Sequence, residues 1–143
     1  MILVDANVLL HAHMSSHDEH ARMHAWLDGQ LNGATRVGLP WESLLGFARI
    51  ATNPRVYPRP QSSEGAWGQV RAWLGCRSTW IPKPTELHAE LLGEMVELPG
   101  TTSKLVADAH LAALAIEHGL TLCSSDRDFG RFPKLRWFNP LAA

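Results

Sequence analysis

The chain has 143 residues, 45% of them hydrophobic and 19% charged, with a formal net charge of -1. That length fits one domain with a substantial core, and the near-neutral balance excludes a global basic field, so any nucleic-acid partner must be held by a local patch. Cys76 and Cys123 lie far apart without paired-ligand spacing, which argues against a disulfide framework or a thiolate metal site. No apolar run nears ~18 residues, and the opening residues lack a basic stretch leading into an apolar one, so a cytoplasmic protein without a membrane span is expected.

The chain opens with Ile2-Leu3-Val4, three branched apolar residues that suit a strand buried on both faces of a parallel sheet. The strand stops on Asp5. The pattern then turns helical, and Ser15 or Ser16 is a candidate cap for a helix with Asp18 and Glu19 in its first turn. That helix carries Ala21, Met23, Trp26 and Leu27 and should stop near Gly29 or Gly33. Val37-Gly38-Leu39 reads as a second strand closed by Pro40, followed by a helix from Trp41-Glu42 with Leu44, Leu45, Phe47, Ala48 and Ile50 at helical spacing. Pro54, Pro58 and Pro60 mark an irregular segment, after which Ser62 or Ser63 can cap a third helix. Thr79-Trp80-Ile81-Pro82 is a brief third strand whose proline places it near an edge.

Thr85 is a candidate cap for a helix from Glu86 to about Glu97. Thr101, Thr102 or Ser103 caps the best-defined helix, which ends at Gly119 as a glycine just past the last turn. Leu120-Thr121-Leu122-Cys123 forms a fourth strand that leads to Asp126, and Arg136-Trp137-Phe138 a short fifth. Strands alternating with helices predict an α/β fold with a central parallel sheet of four to five strands and helices on both faces.

In such sheets the functional crevice lies beyond the carboxyl ends of the strands. Asp5 and Asp126 fall at the ends of the first and fourth strands, and Glu42 opens the helix after the second. Asp108 sits ~60° from the centre of the apolar stripe Leu105, Ala109, Ala112 and Ile116, whereas His110 and Glu117 point to the opposite side as surface residues. Taken singly, each acid has an ordinary reading: a cap for Asp5, a first-turn dipole partner for Glu42, a half-exposed helix residue for Asp108 and a turn residue for Asp126. Their convergence at one end of a sheet is much harder to attribute to chance. Gathered carboxylates need a cation to remain ionised, and an oxygen-rich set suits Mg2+ or Mn2+. Such ions promote phosphodiester cleavage by activating water and stabilising charge on the attacking and leaving oxygens. Asn7 and Ser124 are placed to orient an acid or a bound water.

At this point the sequence resembles a PIN-domain ribonuclease, specifically a toxin of the VapBC toxin–antitoxin type, over nearly its whole length. The resemblance rests on Leu-Val-Asp-Ala-Asn-Val at 3–8 and on Glu42 within the stretch 40–54. It continues through Asp108-Ala109-His110-Leu111-Ala112, Ser124-Ser125-Asp126-Arg127-Asp128-Phe129 and the closing Trp137-Phe138-Asn139-Pro140. It implies a single PIN domain over 1–143 with a three-layer fold. It also implies a Mg2+- or Mn2+-dependent endoribonuclease with Asp5, Glu42, Asp108 and Asp126 as its acidic set. Asp5, Asp108 and Asp126 would hold the metal, with Glu42 completing the set directly or through water. The implied partners are an RNA substrate, a second copy in a homodimer, and a small antitoxin, with a heterotetramer or larger assembly between toxin and antitoxin.

Arg49 is a candidate contact for RNA phosphate or for the antitoxin. Asp128 has two readings, an auxiliary acid or a solvated turn residue, and the turn is the simpler. His17, His20 and His24 share a helical face, but no acid or cysteine accompanies them at ligand spacing, so a metal site there is a weak reading. Trp26 and Trp73 read as core or dimer-interface residues. Two rivals to the nuclease stand: a catalytically silent PIN-like binding module, and an aspartyl-phosphate phosphotransferase, which the Asn at position 7 and the lack of a strand-end lysine disfavour.

Overall fold

The computed structural model describes residues 1–142. Its elements run β1 (Ile2–Val4), α1 (Ala6–His13), α2 (His20–Leu31), β2 (Val37–Gly38), α3 (Trp41–Ala51) and α4 (Ser63–Leu74). They continue with β3 (Thr79–Trp80), α5 (His88–Val96), α6 (Ser103–Glu117), β4 (Thr121–Cys123), a 3-10 turn at Arg127–Arg131 and β5 (Trp137–Phe138). The strands form one sheet in the order β3-β2-β1-β4-β5, and every neighbouring pair is parallel.

β1 is therefore the central strand, and its period of two divides its side chains between the layers. Leu3 joins the cluster formed with α5 and α6, while Val4 joins the cluster formed with α1 to α4. Both are fully buried, each contributing roughly 1.5–3 kcal/mol relative to exposure. This three-layer α/β arrangement matches the expected fold class. β3 lies at an edge, as Pro82 suggested.

The helix starts differ from the sequence reading in one place that matters. Neither Ser15 nor Ser16 caps a helix. Instead Asp5 caps α1 directly after β1, accepting the Ala6 N–H at 2.8 Å, and α2 begins at His20 without a side-chain cap. Asp18 and Glu19 thus precede the helix rather than forming its first turn. A carboxylate at the strand end satisfies an orphan N–H at once, so a helix starts directly after β1.

Other ends follow the sequence more closely, except that α5 starts two residues later than expected, with Leu87 and not Thr85 as its cap residue. Ser62 caps α4 through its hydroxyl oxygen and the Gly65 N–H at 2.9 Å. Thr85 accepts the Leu87 N–H at 3.1 Å, with the regular helix starting at His88. Thr102 is the cap residue of α6 but makes no side-chain cap bond. After α6 the chain reverses through Gly119 at φ +67, a left-handed conformation that disfavours a side chain. Gly46 serves packing instead: a Cβ there would stand 3.1 Å from the Ala6 Cβ, so the glycine lets α3 approach the start of α1. That approach brings Glu42 and Asp5 toward one crevice.

Candidate active site

Asp5 leaves the end of β1 and is held from two sides. Its Oδ1 takes the Ala6 N–H, and its Oδ2 accepts the Ser124 hydroxyl at 2.8 Å. The Ser124 oxygen in turn accepts Asn7 Nδ2 at 3.0 Å and the Asp126 N–H at 3.0 Å. Asn7 Oδ1 accepts the Ser125 N–H at 3.3 Å. The ends of β1 and β4, adjacent in the sheet, are thereby tied by side chains as well as by the Asp5 N–H to Cys123 carbonyl bond. Trp137 adds a brace from β5, donating its indole N–H to the Ser124 carbonyl at 2.9 Å. Burial pushes the Asp5 carboxyl up, against the lowering effect of the Ser124 and Ala6 hydrogen bonds.

Asp108 enters from the first half of α6, and Glu42 from the first turn of α3. Asp5, Glu42, Asp108, His110 and Arg49 line one groove of about 550 Å³. Burial and then the charge of Asp126 push the Asp108 carboxyl up to about 6. Its Oδ2 is buried with no hydrogen-bond partner. Carboxylate oxygens of Asp108, Asp126 and Asp128 lie within 4.8 Å of one another. Lys104, one helical turn before Asp108, reaches into this set, with Nζ 2.7 Å from Asp128 Oδ2 and 3.3 Å from Asp126 Oδ2. Its ammonium is held charged well above the ordinary lysine range by those two acids.

The four acids singled out from the sequence are therefore gathered at the carboxyl end of the sheet, together with Asn7 and Ser124. Two further groups join them. Asp128 is not a free turn residue: the turn it occupies starts with Asp126 Oδ1 accepting the Asp128 N–H at 2.9 Å, which folds the two carboxylates toward Asp108. Lys104 had no signal beyond its position four residues before Asp108, a helical i,i+4 spacing.

The placement of His110 and Glu117 on a solvent side is corrected. α5 packs along α6, so the helix is covered on both flanks: Leu111, Ala113, Leu114 and Ala115 are buried with Ala109 and Ala112 of the expected stripe, whereas Leu105 and Ile116 are only half-buried. The Glu117 side chain is fully buried, and His110 Nε2 stands 3.0 Å from Glu42 Oε1. That imidazole, more than any other neighbour, holds the Glu42 carboxyl below its ordinary range.

The histidines near α2 do not assemble a metal site. His17 precedes the helix and bonds the Tyr57 hydroxyl at 2.7 Å. The Nδ1 atoms of His20 and His24 donate to the His11 and Ala12 carbonyls at 2.9 and 3.1 Å, closing the open end of α1. Among the described residues the only group of three metal-capable ligand atoms is Asp108, Asp126 and Asp128. Trp73 lies in the core against Phe47, and Trp26 rests half-buried beside Phe138. Arg49 has no ion pair among the described residues. It borders both the acidic groove and an apolar groove of about 740 Å³ between α3 and α4, lined by Leu45, Ala66 and Trp67.

The donor set fits a hard divalent cation: it is all oxygen, and it contains a dehydrated carboxylate oxygen without a proton donor. Among the described residues no helix is long and apolar enough to cross a membrane.

The PIN domain family model matches residues 2–135. The chain is 48% identical over 142 residues to Ribonuclease VapC37 of Mycobacterium tuberculosis, covering 99% of both proteins. It is 39% identical over 141 residues to Ribonuclease VapC33 of the same species, again covering 99% of each. Among solved structures it resembles a chain of VapBC2 from Rickettsia felis, solved bound to a DNA fragment from the promoter. There the TM-score is 0.69 at 17% identity, covering 97% of this chain and 98% of that one.

Proposed function

The chain belongs to the PIN-domain family, and on that premise we propose that it is the ribonuclease toxin of a toxin–antitoxin pair, hydrolysing RNA phosphodiesters with a divalent cation. The observation that carries this reading is the buried Asp108 Oδ2 with no partner, beside Asp126 and Asp128 and on the same groove as Asp5 and Glu42. A carboxylate left so, among like charges, calls for a cation. The names of the relatives supply the substrate class.

Asp5, Asp108 and Asp126 would hold Mg2+ or Mn2+, with Asp128 within reach of the same position. When bound, such an ion supplies a Lewis acid that activates water and stabilises charge on the leaving oxygen. The protein's own contribution is placement. Ser124 and the Ala6 N–H fix both oxygens of Asp5, so its carboxylate needs little reorganisation. Glu42 stays ionised at the groove edge, oriented by His110, where it can accept a hydrogen bond from a water lined up for attack. Arg49 stands beside the groove and can neutralise the phosphate of an entering strand.

The domain is taken as spanning 1–143 and as pairing with a second copy. The antitoxin would cover the apolar groove, where Leu45 is 56% and Trp67 39% exposed, and direct a basic residue into the acids. Incubating the purified protein with structured RNAs in Mg2+, in Mn2+ and in chelator tests the reading. Cleavage with either ion and none with chelator is expected; cleavage that survives chelation contradicts it.

A further inference from the structure

Glu42 is the only one of the four acids whose carboxylate is gripped by a histidine, and that histidine is itself held from behind. His110 Nδ1 lies 2.9 Å from His88 Nε2, with the two rings nearly perpendicular at 82°. His88 Nδ1 lies 2.5 Å from Glu117 Oε2, and Glu117 Oε1 accepts the Thr85 N–H at 2.6 Å. The line runs Glu42–His110–His88–Glu117 and ends on backbone. Side-chain exposure falls along it, from 42% at Glu42 through 24% at His110 and 11% at His88 to 0% at Glu117. It is thus rooted in the α5–α6 interface and opens into the acidic groove. Burial alone would raise the Glu117 carboxyl, but the bonds from Thr85 and His88 outweigh it and hold the carboxyl low.

The bonds have a direction. An ionised carboxylate only accepts, so His88 Nδ1–H donates to Glu117 and His110 Nε2–H donates to Glu42. The middle bond joins two ring nitrogens and needs one proton more, so with all three bonds made one of the two rings is an imidazolium. Each ring is therefore fixed at both nitrogens, leaving His110 no freedom to turn away from Glu42. Structural packing alone would not require polar atoms matched end to end across three helices and a loop.

We propose that His110 is the positioning residue for Glu42, and that His88 and Glu117 act through it to hold the Glu42 carboxylate toward the acidic groove. This rests on the reading that Glu42 serves RNA cleavage. Partners of this kind, one bond removed from the working group, typically change activity or metal affinity about 10–100-fold when removed.

Three measurements test it. His110→Ala should lower kcat for RNA cleavage about 10–100-fold with KM within about twofold, and His110→Gln, whose amide can still donate to Glu42, should recover most of it. Calorimetric Mn2+ titration should show weaker binding by His110→Ala than by His110→Gln, a readout that needs no turnover. Nitrogen-15 spectra of the histidine rings should show His110 protonated at Nε2, with that signal moving in Glu117→Gln. His110→Ala with wild-type kcat and Mn2+ affinity, or a His110 signal indifferent to Glu117→Gln, overturns the proposal. Should the wild type cleave no RNA with either ion, the functional reading fails by itself, and the ring spectra still decide whether the line exists.

Discussion

Ser124 donates its hydroxyl proton to Asp5 Oδ2 at 2.8 Å, joining residues 119 positions apart in the chain. The same oxygen accepts from Asn7 and from the Asp126 backbone, so one fully buried hydroxyl sets the spacing of β1, α1 and the Asp126 turn. Ser124→Ala leaves two donors and one carboxylate oxygen without their partner. We predict a stability loss of about 1–3 kcal/mol by denaturant unfolding and a drop in cleavage of roughly 10–100-fold. Loss of stability with full activity would mean that the bond serves only the fold.

Asp108→Asn should separate stability from function. In the metal-free protein the Asp108 carboxyl is pushed up to about 6 by burial and by Asp126, so its charge opposes folding at neutral pH. The side chain is only half-buried, and screening reduces the effect, so removing the charge should raise stability by about 1 kcal/mol, or Tm by about 3 °C. Cleavage should be abolished. Active sites commonly carry such a trade.

The pH dependence follows from the same group. A carboxyl with a raised folded pKa binds a proton more tightly in the folded than in the unfolded state, so its effect is stability lost as pH rises between about 4 and about 6. The difference between wild type and Asp108→Asn in metal-free buffer should therefore grow across that window and level off above it. Protons and cation compete for this carboxylate, so Mn2+ affinity measured calorimetrically should fall as pH drops below about 6, by up to about tenfold per unit. A flat affinity from neutrality down to pH 5 would exclude Asp108 as a ligand.

Lys104 bridges Asp126 and Asp128 from a largely exposed position. A cation drawn to these acids meets the ammonium as a competitor. Lys104→Ala should cost the metal-free protein less than about 1 kcal/mol while tightening Mn2+ binding several-fold at low ionic strength, with the gain shrinking as salt is added. Weaker Mn2+ binding by this variant would show that Lys104 supports the site instead.

The sequence made the sheet and its acids legible for a simple reason. β1 is buried on both faces, so its apolar run is unbroken, and the acid that ends it stands out against that run. Asp126 was visible by the same logic at the end of β4. What stayed hidden depended on how helices cover one another. His110 and Glu117 are polar residues off the apolar stripe of α6, and periodicity alone assigns such residues to water. Only the packing of α5 along that flank turns them into a buried line. The sequence left Asp128 between an auxiliary acid and a turn residue because the backbone bend that aims it depends on a bond made by Asp126. Asp5 offered a cap and a groove acid as alternatives, and the structure gives it both roles.

If these acids act together on RNA through a divalent cation, Asp5→Asn is the substitution that shows it most directly. The substitution keeps the size of the side chain and the oxygen that accepts the Ala6 N–H. RNA cleavage in Mg2+ and Mn2+ should be measured beside circular dichroism spectra of both proteins. We predict a native fold with cleavage abolished in either ion. Unchanged metal-dependent cleavage by a folded Asp5→Asn protein would contradict the account.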